Sequence, residues 1–168
     1  MRLSTRGRYA VMAMVELAAR ERSESPEERG GRRQVSLADI AQAQHLSLAY
    51  LEQLFGPLRR AGLVASARGP GGGYRLARTA AEISISAIID AVDEPLTATR
   101  CEDGGPGCLD GQRCLTHDLW SELGDQIRLF LQALTLADVI GGRVLGRAVS
   151  PQRTPAPPEP PLRPAGVP

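Results

Sequence analysis

Residues 36–77 combine two short helical patterns with a glycine-rich turn, and this combination constrains the fold more than any other feature of the chain. Ser36 and Asp39 have the spacing of a capping box at the start of the first helix. Ser47 begins a second helix after a short link, and Gly62 lies where a C-terminal glycine cap belongs. The apolar residues expected to face the core are Leu37, Ile40, Ala41, Leu48, Leu51, Phe55 and Leu58. Two short helices joined by a tight link predict a helix-turn-helix.

A β-hairpin is predicted directly after the second helix. Residues 63–67 and 74–77 have the character of short strands, and the sequence R-G-P-G-G-G at 68–73 between them is typical of a tight turn. A glycine-rich loop can also cradle a nucleotide phosphate, but this one lies between two strands and opens no helix. The hairpin is therefore predicted to be the wing of a winged helix-turn-helix.

Two further helices complete a predicted DNA-binding domain at 1–92. Residues 9–20 are rich in Ala, Met, Val and Leu and predict a buried first helix, and the charged segment 20–34 predicts a solvated loop. Ser84 is expected to cap a short helix that runs to residue 92. Pro57 removes a helical N–H group, so the second helix of the helix-turn-helix is expected to bend near Gln53.

The C-terminal half predicts a long helix and two irregular segments. Residues 93–114 form a predicted loop, and 115–134 carry apolar residues at every third or fourth position, namely Leu115, Leu119, Leu123, Ile127, Leu131 and Leu134. So small a domain cannot cover this stripe alone, and a partner helix is expected within a dimerisation region at 115–145. Thr135 and Asp138 predict a cap for a short terminal helix. Residues 150–168 hold eight of the 13 prolines and predict a disordered tail.

Length and composition limit the function classes. A chain of 168 residues has room for one ordinary domain and an attached element, which excludes a large multidomain enzyme. Hydrophobic residues make up 42% and charged residues 23%, as in globular proteins with a buried core. There is no 18-residue apolar run and no signal-peptide pattern at the N-terminus, so a cytoplasmic location is expected. The sequence shows no catalytic constellation, and we predict that the protein is not an enzyme.

Charge is distributed unevenly along the chain. Residues 1–78 carry 13 Arg and seven acidic residues, whereas residues 79–168 carry seven Arg and 12 acidic residues. The N-terminal half is therefore positive and suited to an anionic partner. The chain has no lysine, and arginine favours bidentate contacts to phosphate or guanine, although a compositional bias of the genome also explains the missing lysine.

Three cysteines and a histidine lie within 17 residues, as Cys101-x6-Cys108-x5-Cys114-x2-His117. An odd number of cysteines in a reducing compartment argues against a disulfide framework and for metal ligands. Three thiolates and one imidazole fit both a tetrahedral zinc site and an iron–sulphur cluster. The wide gaps favour the larger centre, since zinc sites prefer Cys-x2-Cys pairs.

Outward-facing residues of the second helix-turn-helix helix are candidates for DNA contact. Gln53 has the donor and acceptor that read adenine, and Glu52 can accept a hydrogen bond from a cytosine amine. Arg68 in the wing is suited to a minor groove or a phosphate. An alternative is that these are simply solvated polar positions. The predicted DNA-contacting residues are Arg2, Ser47, Ala49, Tyr50, Glu52, Gln53, Arg59, Arg60 and Arg68.

Five segments together resemble the IscR family of iron–sulphur-cluster regulators. They are M-R-L-S-T-R-G-R-Y-A-V at 1–11, L-S-L-A-Y-L-E-Q-L-F at 46–55, A-G-L-V-A-S and R-G-P-G-G-G-Y at 61–74, A-T-R-C at 98–101, and C-L-T-H-D-L-W at 114–120. The resemblance covers both the DNA-reading and the cysteine-containing regions. The chain departs from the family by one extra residue between Cys101 and Cys108, a longer loop after the first helix, Gly56 and Pro57 in the recognition helix, and the Pro-rich tail.

The resemblance implies a homodimeric winged-helix transcription factor, mainly a repressor, that binds double-stranded DNA operators. It implies one [2Fe–2S] cluster per subunit on Cys101, Cys108, Cys114 and His117, with the cluster-assembly scaffold as donor. It also implies that the cluster-loaded form represses the cluster-assembly operon. Two alternatives stay open at this point: a zinc-stabilised winged-helix repressor of other genes, and a [2Fe–2S] electron carrier that does not bind DNA.

Overall fold

A computed structural model describes residues 5–23, 34–67, 69, 71–92 and 114–146. Its architecture is mainly helical with one small antiparallel sheet, which confirms the predicted fold class. In chain order the elements are α1 (Thr5–Ser23), α2 (Leu37–Gln44), α3 (Leu48–Arg60), β1 (Val64–Ala67), β2 (Gly73–Leu76), α4 (Ile85–Ala91), α5 (His117–Ala133) and α6 (Leu136–Ile140).

Helix α1 is longer at both ends than the predicted range of 9–20. Its buried residues are Gly7, Ala10, Ala13, Met14, Leu17 and Ala18, which follow helical spacing. The prediction that a solvated loop starts at residue 20 is wrong, because the helix continues to Ser23. Charged side chains hold this end: Arg20 pairs with Glu16 one turn earlier at 2.7 Å, and Glu21 accepts a backbone hydrogen bond from the wing.

The predicted helix-turn-helix is present as α2 and α3. The Ser36 hydroxyl accepts a hydrogen bond from the backbone N–H of Asp39 at 3.1 Å, as its spacing predicts. His45 ends α2 in the left-handed conformation, with a φ of 52°. The backbone N–H of Leu46 then donates to the Ala41 carbonyl at 2.9 Å, which closes the link to α3.

Helix α3 buries a slightly different stripe from the predicted one. Leu51, Phe55 and Leu58 are buried as expected, but Leu48 is 43% exposed and Leu54 is buried in its place. Leu48 is the first residue of α3, so it lies at the edge of the core. The helix is continuous through Pro57. The C-terminal end of α3 is as predicted. Gly62, with a φ of 69°, follows the helix, and its N–H donates to the Arg59 carbonyl at 3.0 Å.

The wing has an additional strand-like pairing that the sequence did not reveal. Strands β1 and β2 pair antiparallel, with β2 beginning at Gly73 and ending at Leu76 rather than spanning 74–77. Val35, before α2, forms a bridge with Tyr74: each backbone N–H donates to the other's carbonyl, at 2.9 and 2.8 Å. A Cβ at Gly73 would lie 2.5 Å from the Val35 carbonyl oxygen, so this close approach requires glycine.

The predicted long helix is α5, which begins at His117 and ends at Ala133 rather than spanning 115–134. Leu115 lies before it and is fully exposed. Leu134 lies after it, is buried, and accepts a hydrogen bond from the backbone N–H of Ile85 at 2.9 Å. The chain thus returns from α5 to the winged-helix core, where α6 packs against α1. Thr135 and Asp138 form the predicted capping box of α6.

The largest fully buried side chains include Phe55, Met14, Ile40, Ile88 and Leu136, which come from α3, α1, α2, α4 and α6. From α5, Leu131 is partly buried against the same core. Ser84 caps α4 by accepting from the backbone N–H of Ala87 at 3.2 Å. Among the helices that the structure describes, none combines the length and apolar character that a bilayer span requires. The predicted loop up to residue 113 and the predicted tail at 150–168 lie outside the described residues.

Candidate nucleic-acid interface and cysteine–histidine segment

Helix α3 presents its polar side chains to solvent because its apolar residues occupy the core-facing side. Six of the predicted DNA-contacting residues lie in α3 or at its N-cap and are exposed, while Tyr50 is half-buried. The exposed ones are Ser47, Ala49, Glu52, Gln53, Arg59 and Arg60. A helix of 13 residues with such an exposed polar face matches the recognition helix of a helix-turn-helix protein.

These residues form two groups along α3. Ser47 to Gln53 lie in the first two turns, where a recognition helix approaches base edges. Arg59 and Arg60 lie in the last turn, and the Arg59 guanidinium donates to the Ser66 hydroxyl of β1 at 3.4 Å. The second group is therefore beside the wing, in a position suited to phosphates.

A groove of about 550 Å³ lies between the start of α1 and the start of α3. Its lining includes residues that sequence reasoning missed, above all Thr5 and Tyr9 of α1. The rings of Tyr9 and Tyr50 meet edge to face, with centroids 5.9 Å apart, which joins the two helices at this point. The complete lining is Thr5, Tyr9, His45, Leu46, Ser47, Ala49, Tyr50 and Gln53. Helical periodicity places Tyr9 on α1 but carries no information on which helix it meets.

The wing is tied to the helices that precede it. Tyr74 of β2 packs against Phe55 of α3, with ring centroids 4.8 Å apart. The Gln34 side chain accepts a hydrogen bond from the backbone N–H of Ala67 at 2.9 Å. Arg2 and Arg68, two of the predicted DNA-contacting residues, lie outside the described residues.

Cys114 and His117 lie together at the entrance of α5. The backbone N–H of His117 donates to the Cys114 carbonyl at 3.0 Å, and the Cys114 sulphur is 3.4 Å from the Thr116 hydroxyl. Both residues are half-buried. Cys101 and Cys108 are outside the described residues, and within the described part of the chain no three potential ligands come together. The structure therefore places two of the four predicted ligands on one turn.

Helix α5 carries a large exposed apolar surface. Leu119 is 61% exposed, and Trp120, Leu129 and Phe130 are also exposed. Leu119, Leu123 and Phe130 follow intervals of four and seven residues, which places them on one side of the helix. The helix also contacts α4, its Leu131 is partly buried against the core, and Gly124 is buried.

Comparisons with known proteins agree with this arrangement. A model of the Rrf2 family, described as an iron-dependent transcriptional regulator, matches residues 3–142. The chain is 51% identical over 143 residues to the HTH-type transcriptional regulator IscR of Serratia proteamaculans, which covers 85% of this chain and 81% of the relative. IscR of Pectobacterium carotovorum is 50% identical over the same length, with the same coverage.

Two solved structures share the fold. CymR, described as the global cysteine regulator of B. subtilis, has a TM-score of 0.68 and 34% identity, covering 84% of this chain and 98% of its own. IscR of T. potens has a TM-score of 0.65 and 33% identity, covering 90% of this chain and 94% of its own. The sequence resemblance is thereby confirmed: this DNA-binding transcriptional regulator belongs to the Rrf2 family and, within it, to the IscR regulators.

Proposed function

We propose that this regulator is a homodimeric repressor that senses iron–sulphur cluster status and controls the genes of cluster assembly. Its proposed cofactor is a [2Fe–2S] cluster on Cys101, Cys108, Cys114 and His117. The observation that carries the proposal is the placement of Cys114 and His117 on one turn at the start of α5, with two further cysteines in the preceding segment. The identity with IscR regulators supports the same reading.

The donor chemistry of these residues fits such a cluster. Thiolates are the usual ligands of iron–sulphur clusters, and imidazole replaces thiolate in some of them. Cys114 and His117 are half-buried. Their side chains are therefore accessible to a cluster that Cys101 and Cys108 of the preceding segment would also bind. When bound, the cluster supplies a centre whose occupancy and oxidation state follow the supply of clusters and oxidants.

Helix α5 connects the proposed ligands with the DNA-binding region. His117 is the first residue of α5. The residues that follow the end of α5 are hydrogen-bonded to the core: the Leu134 carbonyl accepts from the backbone N–H of Ile85, and the backbone N–H of Leu136 donates to the Ile83 carbonyl at 3.0 Å. A change in the position of His117 therefore acts on a helix that is anchored at its far end beside α4. This connection supports coupling between ligand state and operator binding.

The residues proposed to contact operators divide into base-reading and phosphate-binding sets. Glu52 and Gln53 are exposed in the first two turns of α3 and have the groups that read base edges. Arg59 and Arg60, beside the wing, are proposed to bind phosphates, as are Arg2 and Arg68. Ser47, Ala49 and Tyr50 line the groove at the start of α3 and complete the proposed contact set.

A homodimer is proposed through the exposed side of α5. Full burial of an exposed apolar side chain is worth roughly 1.5–3 kcal/mol, and partly exposed ones such as Leu119 and Phe130 would gain a fraction of this on a partner. A two-fold dimer would cover the same face on both copies. We also propose a cytoplasmic location and delivery of the cluster by an assembly scaffold.

The rival proposal is a structural zinc ion in an otherwise similar repressor. An absorption spectrum of the anaerobically purified protein, with iron, sulphide and zinc analysis, separates the two. A [2Fe–2S] protein is brown, absorbs in the visible range and contains about two iron and two sulphide per subunit. A colourless protein with one zinc per subunit would overturn the cluster proposal. Membership of a family of transcriptional regulators argues against the electron-carrier alternative.

His117 variants test whether that residue is the labile ligand. Neutral imidazole donates less charge than thiolate, so His117→Cys is expected to hold the cluster longer, whereas His117→Ala is expected to yield mainly apo-protein. The measurement is the rate at which visible absorbance decays under air or with a chelator. Equal rates for wild type and His117→Cys would assign the labile position to another residue.

A further inference from the structure

We propose that Glu21 and Gln34 are positioning residues for the wing, and that together they set its placement relative to α3. Both lie outside the residues proposed to contact DNA, one near the end of α1 and the other before α2. The inference rests on the proposed function in one respect, because it takes the wing to be a DNA contact. The inference goes beyond that function by naming two residues that determine the position of the wing.

Glu21 holds the base of the hairpin. Its carboxylate Oε1 accepts a hydrogen bond from the backbone N–H of Leu76 at 2.6 Å. Leu76 is the last residue of β2 and is buried, and Glu21 is half-buried. A hydrogen bond to an ionised carboxylate is roughly twice as strong as one between neutral groups. The bond therefore fixes β2 to α1 at the end of the strand farthest from the turn.

Gln34 holds the opposite end of the hairpin. Its Oε1 accepts from the backbone N–H of Ala67, the last residue of β1 before the turn, at 2.9 Å. The next residue, Val35, exchanges two backbone hydrogen bonds with Tyr74 of β2. Segment 34–35 thus contacts both strands, and the hairpin is anchored near its turn as well as at its base.

External anchors are needed because this hairpin is small. Each strand has four residues, and an isolated two-stranded hairpin of that size is marginal in water. Its base is packed into the core through Leu76 and Val64, but Ser66 and Ala67 near the turn are exposed. Side-chain bonds from outside the hairpin are therefore well placed to limit its motion relative to the rest of the domain.

Helix α1 is hydrogen-bonded to both the wing and the helix-turn-helix. Glu16, five residues before Glu21, accepts from the Gln44 side chain at the end of α2 at 2.9 Å. One carboxylate of α1 therefore holds the helix-turn-helix, and another holds the wing. Loss of the Glu21 or Gln34 bond should shift the wing without moving α3, and this makes the effect separable from a general loss of fold.

The test is a double-mutant cycle with the predicted wing contact Arg68. Operator affinity is measured over a range of salt concentrations for Glu21→Ala and Gln34→Ala, in the wild-type and Arg68→Ala backgrounds. In the wild-type background each variant is expected to weaken binding roughly three- to ten-fold and to lower the salt slope by up to about one. In the Arg68→Ala background neither is expected to weaken it further.

Two controls separate positioning from stability. Glu21→Gln keeps an acceptor for Leu76 and is expected to restore most of the affinity that Glu21→Ala loses. Glu16→Ala removes the matched carboxylate that holds α2, and its effect should add to that of Arg68→Ala, because it acts on the helix-turn-helix. Hydrogen exchange in the free protein should show faster exchange at the Leu76 amide in Glu21→Ala and at the Ala67 amide in Gln34→Ala.

The outcomes are distinguishable. Arg68→Ala could weaken operator binding while Glu21→Ala and Gln34→Ala cause the same loss of affinity in the Arg68→Ala background as in the wild type. The positioning role would then be wrong, and the wing contact would stand. Unchanged exchange at Leu76 and Ala67 would also overturn the positioning role. If Arg68→Ala alone changes neither affinity nor slope, the wing contact in the proposed function is wrong, and the positioning role fails with it.

Discussion

The chain has two phenylalanines, and they mark two regions with opposite surroundings. Phe55 of α3 is fully buried in the winged-helix core, where it packs against Tyr74 of the wing. Phe130 of α5 is 37% exposed. Of the 17 residues of α5, all within the described part of the chain, Gly124 alone is buried. Within the described residues, the winged-helix region thus covers its apolar residues with its own chain, whereas α5 leaves several of its apolar residues exposed.

The difference shows what an apolar stripe does and does not specify. Both α3 and α5 carry large apolar residues at helical spacing. Around α3 the covering residues come from α1, α2, α4 and the wing, whereas the main neighbour of α5 among the described elements is α4. The stripe therefore predicts that a face becomes buried, and the rest of the chain decides whether the same subunit or a second one covers it.

The largest effect is expected from Phe55→Ala. Removing a fully buried phenylalanine side chain costs about 3–5 kcal/mol, a large part of the total stability of a domain of this size. The substitution should lower the free energy of unfolding of the whole winged-helix region and loosen the wing through Tyr74. Urea unfolding followed by circular dichroism measures this loss. A loss below about 1 kcal/mol would contradict a core centred on α3.

Phe130→Glu should instead leave the subunit folded and weaken the dimer. A charged side chain on the proposed contact face appears twice in a two-fold interface, so we expect the dissociation constant to rise roughly 100-fold or more. Analytical ultracentrifugation measures the change, with circular dichroism to show that the helices persist. Leu129→Glu is the matched control, because Leu129 is 57% exposed and, as the neighbouring residue of an α-helix, lies about 100° around the helix axis from Phe130. Equal dissociation constants for wild type and Phe130→Glu would show that this face is not the dimer contact.

Within the winged-helix region, Glu52→Ala should separate recognition from stability. Glu52 is exposed on α3, so its removal is expected to change the free energy of unfolding by less than about 0.5 kcal/mol. A carboxylate near DNA is repelled by phosphates unless it accepts from a base such as cytosine, so it excludes other sites. The variant without a cluster should therefore bind a broader set of operators, as measured by binding-site selection. Identical motifs for the two proteins would contradict this role.

Local features of the fold were predictable because they depend on residues close in sequence. The caps at Ser36, Ser84 and Thr135 each join a side chain to a backbone group three residues away, and Gly62 ends α3 for an equally local reason. The exposed side of α3 followed from the same periodicity. That periodicity did not fix the stripe completely, since Leu48 and Leu54 both fit helical spacing and only Leu54 reaches the core.

Long-range contacts were not predictable from local patterns. The bond from Leu76 to Glu21 spans 55 residues, and the return of Leu134 to Ile85 joins two segments that the sequence assigned to separate units. The groove between α1 and α3 was missed for the same reason, because no pattern pairs Tyr9 with Tyr50. For the cysteine–histidine segment, spacing indicates a ligand set, but the identity of its centre depends on family membership and on the metal analysis proposed above.

The smallest predicted effect concerns His45, which ends α2 with a φ of 52°. It is the one non-glycine residue with a positive φ among the described residues, and a side chain in this conformation costs roughly 1 kcal/mol that glycine avoids. His45 is exposed, so little packing is lost when its side chain is removed. His45→Gly should raise the free energy of unfolding by up to about 1 kcal/mol, after glycine's greater freedom in the unfolded chain offsets part of the gain. His45→Asn should be nearly neutral, and His45→Val should destabilise, because a β-branched residue fits the left-handed region poorly. Urea unfolding of the three variants tests this order; a destabilised His45→Gly would mean that the imidazole stabilises the link between α2 and α3 by contacts that outweigh the backbone strain.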